Sequence, residues 1–209
     1  MNPVSNYDVF EVPADRADDV THVMCEAFHD YPVMRYIVGA DAVAYDDKLH
    51  ALVDFFVQAR YLDGSPVLAI ESKGVMVAAT TLTAPNPQEA PAELSRIREG
   101  VWAKLGAPAR ERYAGLCDIW GRFWLHEPHY HVNMIGVFSS HQGRGYARVL
   151  LDFIHSHSDA RRDSRGTSLT TEKAANVTLY EHFGYQVTGY EKFGPDLETW
   201  GMFRKRETT

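Results

Sequence analysis

The chain has 209 residues, 45% of them apolar and 23% charged, with a formal net charge of −7 at pH 7. Such a length and composition suit one folded domain with a full core and exclude a disordered or fibrous chain. The negative charge argues against a general nucleic-acid binder, no apolar run is long enough to cross a bilayer, and Cys25 and Cys117 are too few for a disulfide framework or a cysteine zinc site.

Met1 to Glu11 has neither a basic segment nor an apolar core, so no secretory leader is read there. The expectation is a cytoplasmic protein with no membrane partner, its cysteines reduced in helix-like core stretches.

Tyr7 to Val12 alternates loosely and predicts a first strand, ended by Pro13. Asp15 is placed to cap a helix whose apolar face runs Ala17, Val20, Val23, Met24 and Ala27, through Phe28. Pro32 disfavours helix at Tyr31 and breaks the chain at His29-Asp30-Tyr31, before a short helix over Val33 to Val38 that Gly39 ends. Tyr45 to Tyr61 predicts a longer amphipathic helix with Leu49, Leu52, Val53 and Phe56 on one side. Pro66 to Pro85 predicts two strands around a tight turn at Ser72-Lys73-Gly74. Ala92 to Leu105 and Ala109 to Leu125 predict two aromatic-rich helices separated by Gly106 and Pro108. Tyr130 to Phe138 predicts a strand, followed by a helix to about Ala160 with Val149, Leu150, Phe153 and Ile154 turned inward. Thr167 to Thr171 predicts a short strand, and Ala174 to Phe183 a helix ended by Gly184. Tyr185 to Phe193 and Thr199 to Lys205 predict the last two strands. The order β-α-α-α-β-β-α-α-β-α-β-α-β-β predicts an α/β chain with a mixed sheet and helices on both faces.

The stretch from Ile135 to Leu151 is the most informative. A strand ends, the chain turns through Ser139, Ser140 and His141, and a helix opens behind Gly143 and Gly145. The first amides of a helix lack partners and sit at the positive end of its dipole, so this turn suits a phosphate. It is not a P-loop, because no Lys follows the glycines, and the dinucleotide fingerprint fails at Arg148. What remains is Gln142-x-x-Gly145-x-Ala147. One strand later comes Asn176-Val-Thr-Leu-Tyr180-Glu-His-Phe183-Gly184-Tyr185. Taken alone, the second pattern is also an ordinary apolar helix face with a glycine stop, and the first an ordinary strand–turn–helix.

Together and in this order, the two patterns resemble those of the GCN5-related N-acetyltransferases (the GNAT superfamily). The resemblance is good toward both ends of the chain and poor from Asn86 to His126. It implies one N-acetyltransferase domain over residues 1–209. The implied fold is a central mixed, twisted sheet of about seven strands flanked by helices, with the extra helices between strands 3 and 4. It also implies acetyl-CoA as co-substrate, without a metal. The backbone of Gln142, Gly143, Arg144, Gly145, Tyr146 and Ala147 would hold its pyrophosphate. Asn176 would bond the pantetheine arm. A backbone amide among Ile135, Gly136 and Val137 would polarise the thioester carbonyl. Tyr180 would protonate the leaving sulfur, as a phenol with pKa about 10 can for a thiolate near 8 to 9.

The general base stays open. Glu127, His129, His131 and Glu172 lie beside strands that would border a cleft, and period two puts His129, His131 and Asn133 on one face. Tyr31, at a break between helices, is a further candidate. His126, His129 and His131 form no zinc pattern, and Ser139-Ser140-His141 is not a nucleophile elbow. The acceptor is read as an amine-bearing small molecule, with a peptide or protein amine as the alternative. A non-catalytic acyl-CoA sensor on the same fold is the other class of reading. Oligomeric state is not read from the sequence.

Overall fold

The computed structural model describes residues 7–207. Residues 1–6, on which part of the leader reading rests, lie outside the described residues. The elements, in chain order, are β1 (Val9–Glu11), α1 (Ala17–Phe28), α2 (Pro32–Val38), α3 (Tyr45–Leu62), β2 (Val67–Ser72), β3 (Val75–Thr83), α4 (Ala92–Leu105), α5 (Ala107–Phe123), β4 (Tyr130–Val137), α6 (Tyr146–Ala160), β5 (Gly166–Thr171), α7 (Ala174–Glu181), β6 (Gln186–Phe193) and β7 (Leu197–Lys205). The strands form one sheet in the order β1-β2-β3-β4-β5-β7-β6, in which β4 and β5 are the parallel pair.

Each face of the sheet is covered because each helix has one apolar stripe to bury. Val20, Met24, Ile37, Leu52 and Val53 of α1 to α3 form a core with Ala69, Ala79 and Met134 on one face. Leu150, Leu151 and Ile154 of α6 pack with Tyr180, Tyr185 and Met202 on the other. Gly136 brings α1 close to β4, since a Cβ there would lie 2.9 Å from the Cβ of Ala27. No described helix is long and apolar enough to cross a membrane.

Several details differ from the sequence reading. Asp15 does not cap α1; it sits inside a 3-10 turn, Ala14–Arg16, that precedes the helix. Pro108 does not separate α4 from α5 but lies in the first turn of α5, where its missing N–H costs nothing. Gly106 makes the break alone, with φ +90°. α5 stops at Phe123, because Trp124 is already extended. Phe153 is 39% exposed, and Leu151 takes the inward place on α6. Cys117 is exposed, not a core residue, and Cys25 is half-buried; both are free.

The largest departure is in β4. Met134 pairs with Thr81 and Val132 with Leu82, so Asn133 is an extra residue, a β-bulge. Before the bulge Tyr130 and Val132 face the α6 core; after it Ile135 and Val137 do, and Met134 faces α1. Period two therefore breaks at Asn133, and His129 precedes the strand. Of the predicted face of His129, His131 and Asn133, the last two line one cavity and His129 does not. β4 pairs with β5 only over Tyr130 to Val132, against Thr167 to Leu169. Beyond these residues the two strands part.

Candidate active site

The parting strands open a cavity of about 500 Å³ on the α1–α5 side of the sheet. Its lining includes His131 and the bulge from β4, Leu169 and Thr170 from β5, and Glu172, Asn176 and Tyr180 after it. One edge of β4 beyond the bulge has no strand beside it, while the other stays paired with β3.

The turn after β4 is shaped by two left-handed glycines, Gly143 at φ +74° and Gly145 at φ +88°. Left-handed backbone strains any residue with a Cβ. No atom lies within 4 Å of where a Cβ would stand at either, so the turn is open on its outer side. The side chain of Gln142 folds back and donates to the Val137 carbonyl at 3.2 Å, and Arg144 donates to the Ser140 carbonyl at 3.1 Å. Both side chains brace the turn and leave its backbone to face outward. Tyr146 and Ala147 begin α6, whose first N–H groups have no partner within the helix. An open cradle of amides at a helix N-terminus fits a pyrophosphate.

A hydroxyl hub organises the end of β5. Thr171 Oγ1 accepts from Asn176 Nδ2 at 3.2 Å and lies 3.0 Å from the Tyr31 hydroxyl. The Tyr31 oxygen in turn accepts the backbone N–H of Glu172 at 3.1 Å. The next shell comes from β7 and α5. Thr199 Oγ1 donates to Glu172 Oε1 at 2.8 Å, and Trp120 Nε1 donates to Thr199 Oγ1 at 3.3 Å.

Glu172 is 8% exposed, and burial raises its carboxyl from 4.5 to about 7, against the hydrogen bonds that favour the anion. Tyr180, also 8% exposed, is pushed to about 12 by burial and by the charge of Glu172. Among the described residues its hydroxyl makes no hydrogen bond to protein. Burial also raises the Tyr31 phenol well above its ordinary value, which keeps its proton on.

Of the predicted base candidates, Glu172, His131 and Tyr31 line the cavity. Burial lowers His131 to about 3, so its imidazole is neutral; its Nδ1 is 2.8 Å from Ser168 Oγ. Glu127 and His129 are not among the cavity's lining residues. Glu127 is exposed on the loop before β4. The His129 ring is buried, with Nδ1 2.6 Å from the Glu127 carbonyl oxygen and the Trp124 ring 5.1 Å away. Thr171, Thr199 and Trp120 escaped the sequence reading because no short pattern joins them; they meet only through the fold. Among the described residues no group of three or more His, Cys, Asp or Glu side chains is placed to hold a metal ion.

Residues 99–187 match the family model described as an acetyltransferase (GNAT) domain, which covers the turn after β4 and α7. No curated protein matches the sequence. Among solved structures, the histone acetyltransferase HPA2 and related acetyltransferase from Corynebacterium glutamicum is 18% identical, with TM-score 0.70 over 97% of this chain and 98% of its own. The yncA protein from Salmonella typhimurium, solved with its cofactor acetyl-CoA, is 20% identical, with TM-score 0.55 over 98% and 96%. The polyamine N-acetyltransferase from Drosophila melanogaster is 15% identical, with TM-score 0.59 over 95% and 98%. At these identities the likeness is one of fold. The family model covers residues 99–187, and over nearly its whole length the chain has the fold of the GNAT acetyltransferases.

Proposed function

We propose that the chain, as one domain, moves the acetyl group of acetyl-CoA to the primary amine of a small molecule, with both substrates held at once. The observation that carries this is the single cavity that collects Glu172, Asn176 and Tyr180 where β4 and β5 part.

Bound acetyl-CoA supplies an acetyl group activated as a thioester. The backbone of Gln142 to Ala147 would hold its pyrophosphate, an amide of the free edge at Ile135, Gly136 and Val137 would polarise its carbonyl, and the Asn176 amide would bond its arm. The carboxylate of Glu172 takes a proton from the acceptor's ammonium and leaves a neutral amine. A base near pH 7 suits that exchange at neutral pH. The Tyr180 phenol keeps its proton until negative charge builds on the sulfur, then gives it up. In sum the ammonium loses two protons: the sulfur gains one, and one leaves to solvent through Glu172. Tyr31, Thr171, Thr199 and Trp120 hold Glu172 in place.

A small acceptor is favoured by the partly enclosed cavity, which suits a ligand better than a protein surface. Ala27 to Pro32 with Arg35, and the segments from Thr171 to Lys205, resemble puromycin N-acetyltransferase; Asn86 to His126 does not. The free cysteines suit a reduced, cytoplasmic setting.

The test is thiol release from acetyl-CoA at mildly alkaline pH. The panel holds puromycin, other aminonucleosides, polyamines, aminoglycosides, amino acids and short peptides. Release with small amines is expected. Release with peptides alone moves the acceptor to a protein. Silence across the panel, with acetyl-CoA still bound, favours the sensor reading or a protein acceptor.

A further inference from the structure

Among the described residues, Glu172 is the one carboxyl lining the cavity. The single formal cation among the described lining residues, Arg60, is already engaged: it pairs with Asp63 at 3.0 Å and donates to Thr83 and Asn133. His131 is neutral. Much of the remaining wall is aromatic, with Phe55, Phe56, Tyr113, Trp120, Phe123 and Trp124 from α3, α5 and the residue after it. Phe56, Tyr113 and Trp120 follow one another at ring-centroid separations of 5.8 and 6.5 Å. The series ends one hydroxyl away from the carboxyl, through Trp120 Nε1, Thr199 Oγ1 and Glu172 Oε1.

We infer that the acceptor is a primary monoamine with an aromatic or bulky apolar body. Its ammonium sits at Glu172 beside the Trp120 indole, and its body lies along the rings of Phe56 and Tyr113. This rests on the acetyltransferase reading above and narrows its acceptor. One buried carboxyl can neutralise one ammonium; a charge without a partner in an apolar chamber is strongly disfavoured. A diamine would leave its second cation among rings, next to the cation of Arg60. A flat ring, by contrast, gains contact along the whole wall and adds cation–π attraction at the indole for the ammonium.

The test separates binding from transfer. Phenethylamine, tryptamine, agmatine and spermidine are titrated calorimetrically into the full chain saturated with CoA. The same four amines are then assayed for thiol release from acetyl-CoA. The aryl amines are expected to bind at least tenfold more tightly than agmatine and spermidine. Glu172→Gln should erase most of that binding while the thermal shift given by acetyl-CoA stays unchanged. Equal or tighter binding of agmatine or spermidine overturns the inference, as does absence of aryl-amine binding. Tight aryl-amine binding without thiol release would overturn the transferase reading and leave the ligand class standing. If Glu172→Gln does not fold, the wild-type ranking of the four amines decides alone.

Discussion

The backbone N–H of Glu172 donates to the hydroxyl of Tyr31 across 3.1 Å, tying together residues 141 positions apart. Hydrogen accounting follows from that contact. Thr171 Oγ1 accepts from Asn176 and, at 3.5 Å, from the Lys173 amide, so its own hydrogen goes to Tyr31. The Tyr31 oxygen then accepts twice, and its hydrogen is left for the Glu172 carboxyl, which it helps to ionise.

Tyr31→Phe removes that hydrogen and strands the Glu172 amide. A buried donor without a partner costs about 1–3 kcal/mol. The melting temperature should fall, and the acidic limb of the pH–rate profile should move to higher pH as Glu172 loses a donor. An unmoved limb would take Tyr31 out of the site.

Glu172→Gln should lose acetyl transfer yet gain stability at alkaline pH. The native carboxyl titrates near 7 and the unfolded one near 4.5, so the folded state holds more protons between them. Stability therefore falls as pH rises through that window, by about 3 kcal/mol at most once pH 7 is passed. Glutamine carries no such penalty. Melting curves should show the variant above wild type by roughly 5 to 10 °C at pH 8 and level with it at pH 4.

Tyr180→Phe should lower turnover by roughly 10²- to 10⁴-fold, the usual span for a lost general acid. Acetyl-CoA affinity should stay near wild type, because the change removes one oxygen and no wall. Wild-type turnover with normal affinity would end its role as proton donor.

Gly145→Ala puts a Cβ on backbone at φ +88°. Nothing stands in its way, so the penalty is conformational, about 1–2 kcal/mol. It falls on the turn proposed to hold the pyrophosphate. Acetyl-CoA should bind roughly tenfold more weakly by calorimetry, with unchanged amine selectivity.

Gly201→Ala tests how α5 is seated. Gly189 and Gly201 pair across β6 and β7, and the ring of Phe123 fills the notch they leave. A Cβ at Gly201 would lie 2.7 Å from the Phe123 Cβ, so the end of α5 must lift. The variant should melt several degrees lower and bind amines less well, while acetyl-CoA binding survives because its turn lies elsewhere.

The element order and the glycine turn before α6 were legible because both are local. Hydrophobic period names helices such as α1 and α6, and the Gly143 to Ala147 turn carries its chemistry in consecutive residues. The neighbourhood of Glu172 was not legible in the same way. Tyr31, Trp120, Thr171 and Thr199 come from four separate stretches, and only the sheet order places β7 beside β5. Glu127 and His129 looked as favourable as Glu172 because each sits beside a strand. Glu127 and His129 lie in the loop ahead of Tyr130, outside the cavity's lining, while Glu172 follows β5 and is within it, and no compositional mark separates the two cases.

The bulge ties the opening of the cavity to residue count. Deleting Asn133 would restore the alternation of β4 and let it lie straight against β5 past Val132. Each ladder bond so gained adds about 0.5–1.5 kcal/mol, so the shortened chain could be the sturdier one. It would also be sealed, with no unpaired strand edge for a thioester to reach. One amino acid more than regular pairing with β3 needs sits where β4 and β5 part, and the cavity opens at that seam.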